Sequence, residues 1–390
     1  MVINKFFIYL SLLLKCIYQT TKIRFNLFFY KLFNFKTNQI SELSKKLKSR
    51  NFSWKFKNKT KYFLILSINN WESSLIEGFK ENTECYHFSW TNVTNFFKNK
   101  KDWNVFHTNL NHDICNSFDE FYDESSNIVI FFYASDFSVS PETVEYLKRK
   151  NTLLVSFCWD DLLYFKHSVK NQPVGVSVLS KHVDINLTLS PETVPIYNYY
   201  KSFCIFWGSQ KVENIIYNKT ITTIYDKNNF YVLFVGSKYG WREDFINKLR
   251  ICNIEVRCYG NGWENGTLTN EELVEKIQKA PLTIGFSNVG YTKSVTTIKG
   301  RDFEIPLWGG LYLTQYSKGI ENYFKINDEI LTYKNFNGCL KKILFIKNNP
   351  QISNKIRELG YLRALEYASW NSRVLFLKNL INEITYEFTN

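Results

Sequence analysis

The 390-residue chain is short of the residues that most often bend or break a backbone, with 16 glycines and 7 prolines. That scarcity, with 45% hydrophobic and 22% charged residues, excludes a collagen-like or wholly disordered chain. Its eight cysteines (Cys16, Cys85, Cys115, Cys158, Cys204, Cys252, Cys258 and Cys339) include no Cys-x-x-Cys pair. The five histidines have no metal-ligand spacing, so no structural zinc is expected. Several cysteines sit in apolar runs such as Val155–Cys158, as buried free thiols do, which points to a reducing, cytoplasmic compartment. Long hydrophobic runs are also missing. The longest uncharged start, Phe6 to Leu14, is nine residues, against the ~20 that span a bilayer. No small-x-small site follows it, and Lys15 precedes Cys16, so a cleaved signal fits poorly.

Acid is scarce in one place only. Residues 1–60 hold thirteen Lys or Arg against a single acid, Glu42, while the rest of the chain is almost neutral. The overall charge of +13 therefore belongs to one arm, and it gives no reason to expect nucleic acid in a central cleft. The arm, residues 1–59, is also rich in bulky apolar groups: Phe6–Leu14, Ile17-Tyr18, Phe25–Tyr30 and Leu32-Phe33. Basic residues mixed with aromatics describe a helix at an anionic membrane surface, lysine stems reaching to the headgroups. The alternatives are an ordinary helix packed on the domain, or a nucleic-acid-binding arm. Composition favours the membrane surface, and with it a peripheral position at the inner face.

Beyond residue 60, short apolar runs alternate with helical stretches. The runs are Tyr62–Ile68, Ile128–Tyr133, Leu153–Cys158, Ile185–Leu189, Phe203–Trp207, Tyr231–Val235, Glu255–Tyr259, Leu282–Phe286, Gly310–Thr314 and Glu329–Thr332. Continuous apolar runs of this length read as parallel strands buried on both faces. Ser-Pro-Glu-Thr-Val at 140–144 and again at 190–194 reads as a capped helix start, and Thr269–Glu272 as a capping box. The polar stretch 208–229 separates two strand–helix series, and a long helical pattern over 354–384 has a break near Ser369. The expected class is α/β, with two Rossmann-like, doubly wound domains facing a cleft. The first domain covers 60–215 and the second 216–365, with a C-terminal helix at 366–390 packing back toward the first.

Two constellations in the second domain suit an anionic ligand. The strand before Gly236 leads through a short loop to a helix opening with Arg242, which joins backbone N–H groups, a helix N-terminus and a guanidinium. No G-x-G-x-x-G and no Walker lysine is present, so neither a dinucleotide nor a P-loop is indicated. The second constellation, Lys299-Gly300-Arg301-Asp302-Phe303-Glu304, is followed by Pro306 and Gly309-Gly310. Two cations and carboxylates at a helix start can serve a diphosphate and a ribose, or form a solvated charged face; the residues alone leave both open.

The order of Phe234-Val235-Gly236, Arg242, Tyr259-Gly260-Asn261-Gly262-Trp263, Ile284-Gly285-Phe286 and Lys299–Glu304 is similar to a known pattern. So is the continuation through Gly309-Gly310, Thr314, Tyr323-Phe324, Asp328–Ile330, Arg363, Trp370 and Arg373. It resembles the donor-binding half of CgeB-like glycosyltransferases, which have the GT-B fold, densely from about 230 to 380. The resemblance implies a metal-independent transferase without cofactor. It would move a sugar from a nucleotide-diphosphate donor, held by Gly236, Arg242, Gly260, Lys299, Arg301 and Glu304, to a hydroxyl of a glycan, lipid-linked or protein acceptor. Retaining GT-B enzymes often carry a pair of glutamates. Glu304 resembles the second of them, which contacts the ribose; where the first would stand is Thr296. The family's terminal pattern also differs, as Ala368–Arg373. Both departures leave room for a catalytically inactive GT-B protein, a carbohydrate-binding or spore- or envelope-associated scaffold.

The first half would supply the acceptor side. Candidate loops follow its strands at Asn69–Glu72, Ser135-Asp136 and Trp159-Asp160-Asp161. Asp160 and Asp161 are the candidate catalytic bases, with helix capping as their alternative role. Trp71, Trp159 and Trp207 are candidates for stacking on a sugar or base, or for the core.

Overall fold

In the computed structural model, the described residues are 10–24, 39–55, 58–67, 71–90, 100–133, 139–169, 172–174, 176–200, 202, 204–206, 229–367 and 369–386. They fall into two units, one of residues 25–207 with 370–390 and one of residues 1–24 with 208–369. The basic arm is thus divided. Helix α1, residues 10–24, belongs to the C-terminal unit, and helix α2, Gln39–Ser49, to the N-terminal one.

Helix α2 is built into its unit. Leu43 and Leu47 are buried, as are Phe52 and Trp54 just beyond, and the Trp54 indole donates to the Asn151 carbonyl. The Lys46 ammonium donates to the Val183 carbonyl, and Arg50 pairs with buried Asp184 at 2.7 Å. This half of the arm is therefore an ordinary packed helix, and its cations serve the fold.

The N-terminal unit continues through β1 (Thr60–Ser67), α3 (Trp71–Asn82), β2 (Glu84–Trp90), α4 (Lys100–Phe121), β3 (Asn127–Tyr133), α5 (Pro141–Leu147) and β4 (Thr152–Cys158). Then come α6 (Asp161–Tyr164), a hairpin of β5 (His167–Val169) and β6 (Gln172–Val174), α7 (Val176–Leu179), β7 (Ile185–Thr188), α8 (Val194–Tyr199) and β8 (Cys204–Phe206). Six parallel strands are ordered β2-β1-β3-β4-β7-β8. β3 and β4 are buried along almost their whole length, as continuous apolar runs between helical layers must be. β2, at the sheet edge, has alternating exposure, so its polar-interleaved sequence ECYHFSW carries no continuous run. The first Ser-Pro-Glu-Thr-Val caps α5 as expected, Ser140 Oγ accepting from the Thr143 N–H. The second does not. α8 begins at Val194 with Thr193 in the cap position and no side-chain capping bond, the Thr193 hydroxyl lying instead within hydrogen-bond reach of Asp161 and the Ser190 carbonyl.

The C-terminal unit runs through β9 (Val232–Val235), α9 (Arg242–Ile251), β10 (Val256–Tyr259), α10 (Asn270–Lys279) and β11 (Leu282–Ile284). It continues with α11 (Arg301–Leu307), β12 (Tyr312–Gln315), β13 (Leu331–Tyr333), α12 (Phe336–Asn348) and α13 (Pro350–Tyr367). Its five parallel strands are ordered β10-β9-β11-β12-β13. The capping box of α10 is formed by Thr269 and Glu272. Buried Arg357 on α13 donates to the carbonyls of Gln278, Gly309, Ala280 and Pro281, which ties α10 and the turn before β12 to that helix. The last helix, α14 (Trp370–Tyr386), leaves this unit and packs on α3 of the other, Trp370 lying against Gly78. Among the described residues, no helix is long and apolar enough to cross a membrane.

Candidate functional site

In the C-terminal sheet the strand order reverses between β9 and β11, since the chain goes from β9 to β10 on one side and then to β11 on the other. Ligands of open α/β sheets bind outside strand ends at such a point. A cavity of about 330 Å³ lies there, and Gly236, Arg242, Lys299, Arg301 and Glu304 all line it. The two constellations, some 60 residues apart in sequence, thus meet in one place. Gly260 is not in the lining but supports it. A Cβ there would collide with the Gly236 carbonyl, and φ is +122°. The Trp263 indole donates to the same carbonyl at 2.8 Å. Gly285 forms part of the floor, where a Cβ would collide with the Tyr312 hydroxyl.

Arg242 opens α9 and is held by its neighbours. Its Nη1 donates to the Ser237 carbonyl at 2.9 Å and its Nη2 to the Tyr239 hydroxyl at 3.2 Å. The guanidinium lies 4.1 Å from the Tyr239 ring centroid and within 6 Å of those of Phe234 and Phe286. Burial lowers its pKa. Among the described residues no carboxylate pairs with it, so the site holds a partly desolvated cation whose counter-charge none of them supplies. Across the cavity Arg301 Nη1 and Glu304 Oε2 are 3.0 Å apart.

Sequence reasoning named Asp302 within the constellation but assigned it no separate role. It is fully buried, accepts from the Lys299 N–H at 2.8 Å and from the Thr314 hydroxyl at 2.6 Å, and so fixes the start of α11 to the end of β12. Burial lifts its carboxyl to about 6. The signal was Thr314 at a strand end twelve residues on, which spacing alone does not connect to an aspartate.

A second cavity, of about 340 Å³, shares Tyr239, Arg242 and Phe286 with the first. Its other walls include Trp241, Phe245, Phe336, Lys248 and Lys293.

In the N-terminal unit, Asp161 is fully buried. Its Oδ2 accepts from the hydroxyls of Thr188 (2.5 Å), Thr193 (2.9 Å) and Tyr197 (3.2 Å), and burial raises the carboxyl to about 7. That enclosure joins β7 and α8 to α6 through Oδ2, and the carboxylate is closed off from solvent. Asp160 is half-buried at the start of α6 with no side-chain capping bond. Trp159 stacks on Trp370 at 5.8 Å, so these two rings pack on each other. Asn69, Asn70, Ser135, Asp136 and Trp207, and the side chains of Trp71 and Glu72, lie outside the described residues. Among the described residues no three His, Cys, Asp or Glu gather as metal ligands.

Residues 242–379 match the family model described as glycosyl transferase-like. No curated protein sequence matches the chain. Among solved structures, sucrose-phosphate synthase from Thermosynechococcus elongatus superposes with a TM-score of 0.56 at 11% identity, over 84% of this chain and 100% of that one. HepE from Anabaena, in complex with UDP, gives 0.53 at 10%, over 83% and 100%. TarM gives 0.46 at 11%, and the chain spans 58% of its length. The chain therefore has the GT-B fold of two Rossmann-like parallel sheets, and its residues 242–379 are glycosyl transferase-like in sequence.

Proposed function

We propose that the protein transfers a sugar from a nucleotide-diphosphate donor to a hydroxyl of a glycan or lipid-linked acceptor, as a metal-independent, CgeB-like hexosyl- or related transferase. One observation carries the reading: the cavity beside β9 and β11 joins Arg242, which no described carboxylate neutralises, to Lys299, Arg301 and Glu304. A diphosphate supplies the missing negative charge. The Glu304 carboxylate, 9% exposed and at the cavity wall, accepts from the ribose hydroxyls. Donor entry divides Arg301 between Glu304 and phosphate.

In the transfer step the bond between the sugar's anomeric carbon and the diphosphate oxygen breaks, and the diphosphate keeps the electron pair. A bond forms from the acceptor oxygen to the anomeric carbon, and the acceptor's proton leaves to a base or to the departing diphosphate. Negative charge grows on the diphosphate, where Arg242, Lys299 and Arg301 stabilise it in a site arranged beforehand. Similarity to HepE, whose structures include complexes with UDP and with UDP and glucose, supports this reading. Thr296 in the place of a first glutamate favours a second one, a protein that binds the donor without turning it over. Incubation with a panel of nucleotide sugars separates them. Release of nucleoside diphosphate, lost in Arg242→Ala, supports transfer, whereas binding with no release supports the second reading.

A further inference from the structure

Helix α1 has two unlike faces, and one of them is anchored. Ile23 is buried, Gln19 Oε1 accepts from the Tyr291 N–H at 2.8 Å, and Arg24 Nη2 donates to Ser294 Oγ at 2.8 Å. Lys15 lies 5.1 Å from the Tyr291 ring. Gly290 makes room for this seat, since a Cβ there would collide with the Gln19 side chain. These contacts all fall on the 290–294 segment, part of which also lines the second cavity.

The outward face is apolar. Leu10, Leu14, Ile17 and Tyr18 are 37%, 59%, 53% and 67% exposed. Their spacing of four, then three, then one residue puts them in a single stripe of the helix. A helix on a water-facing surface has the reverse arrangement, with polar groups outward. Here Ser11 and Thr21 are the exposed uncharged polar residues between larger apolar ones. Lys15 and Lys22, seven apart, run along one edge of the stripe. Residues 1–24 hold Lys5, Lys15, Lys22 and Arg24 and no Asp or Glu.

We propose that this face of α1 inserts into the headgroup region of an anionic lipid bilayer. The described part, residues 10–24, covers about 22 Å at 1.5 Å per residue, and its opposite face is seated on the 290–294 segment, so this stretch lies in the interface rather than across it. A stripe of Leu, Ile and Tyr bordered by lysines, in a segment without acid, complements lipid acyl chains below and anionic headgroups beside them. An acidic protein groove would meet the same cations, but lipid accounts also for the exposed apolar stripe from Leu10 to Tyr18. The inference narrows the sequence expectation. Of the arm, α2 has its apolar face buried in its own unit, and α1 has its apolar face open. It does not depend on which donor the protein uses.

The test is sedimentation of the full chain with vesicles of phosphatidylcholine alone and with added phosphatidylglycerol. Expected is co-sedimentation with the anionic vesicles that weakens as salt rises. In the double variant Leu14→Glu/Ile17→Glu the partition coefficient should fall at least ~10-fold, with thermal melting and UDP affinity unchanged. The volume-conserving pair Leu14→Met/Ile17→Leu should bind as wild type. Wild type left in the supernatant with anionic vesicles overturns the proposal. So does a double variant that sediments like wild type, or concentration-dependent self-association that the double variant abolishes while no vesicle is bound.

Discussion

Asp302→Asn probes how the donor cavity is held, and the structure sets its size and sign. Asparagine fits the same space: its Oδ1 can accept from the Lys299 N–H, and its NH2 can face the Thr314 hydroxyl. That hydroxyl then turns its own proton toward Ser287 Oγ, 3.2 Å away. The hydrogen-bond cost near neutral pH is therefore small, about 1 kcal/mol. The wild-type carboxyl, however, is raised from 3.8 to about 6 by burial. Between those values the folded protein binds more protons at this site than the unfolded chain, so stability falls as pH rises through the interval. The full interval corresponds to at most about 3 kcal/mol. Stability from the neutral acid is complete below about pH 4 and is lost by the time pH passes about 6. Asparagine does not titrate and lacks this fall. Because the chain has two units, a local measurement suits it better than global melting. Hydrogen exchange of peptides covering 299–315, corrected for intrinsic rates, gives the local opening free energy at each pH. The expected result is a wild-type advantage at low pH that shrinks or reverses by pH 7. Two curves with constant separation would refute the reasoning.

Further outcomes follow from other contacts. Gly260→Ala places a methyl against the Gly236 carbonyl at a φ of +122°; it should destabilise the C-terminal unit by about 1–3 kcal/mol and weaken UDP binding, both read by UDP-dependent thermal shift. Arg357→Ala removes the donor group shared by four buried carbonyls; a loss of about 3–5 kcal/mol should appear in urea unfolding, with no effect on α14 protection in hydrogen exchange.

The ten strands expected from short apolar runs all occur; for central strands such as β3 and β4, covered on both faces, the run is apolar because nearly every position is buried. β2 was not legible for the complementary reason: as an edge strand it is exposed at Glu84, Tyr86 and others, and its residues read as neither period. The break near Ser369 was legible in the helical pattern, but nothing in that pattern singles out α3 as the element the helix after it meets. In the site, five of the six donor candidates line one cavity and Gly260 abuts its wall; glycines and cations beside strand ends stand out in sequence. Asp302 and Asp161 were harder to read. An aspartate at a helix start looks alike whether it faces ligand, solvent or a buried pair of threonines, and only packing against Thr314 or Thr188 distinguishes them. The arm divided on a similar point. Leu43 and Leu14 are alike in composition, yet one is buried in a domain and the other is 59% exposed.

Arg242, Lys299, Arg301 and Glu304 together line the proposed nucleotide-diphosphate site. Calorimetric titration of UDP and GDP into the wild type and into Glu304→Ala tests it most directly. Saturable binding of at least one of them to the wild type is expected. The variant, folded by circular dichroism, should bind it at least ~10-fold more weakly, the loss of charge-assisted hydrogen bonds to the ribose. Equal affinity in a folded Glu304→Ala, or no binding of either nucleotide to the wild type, would contradict it.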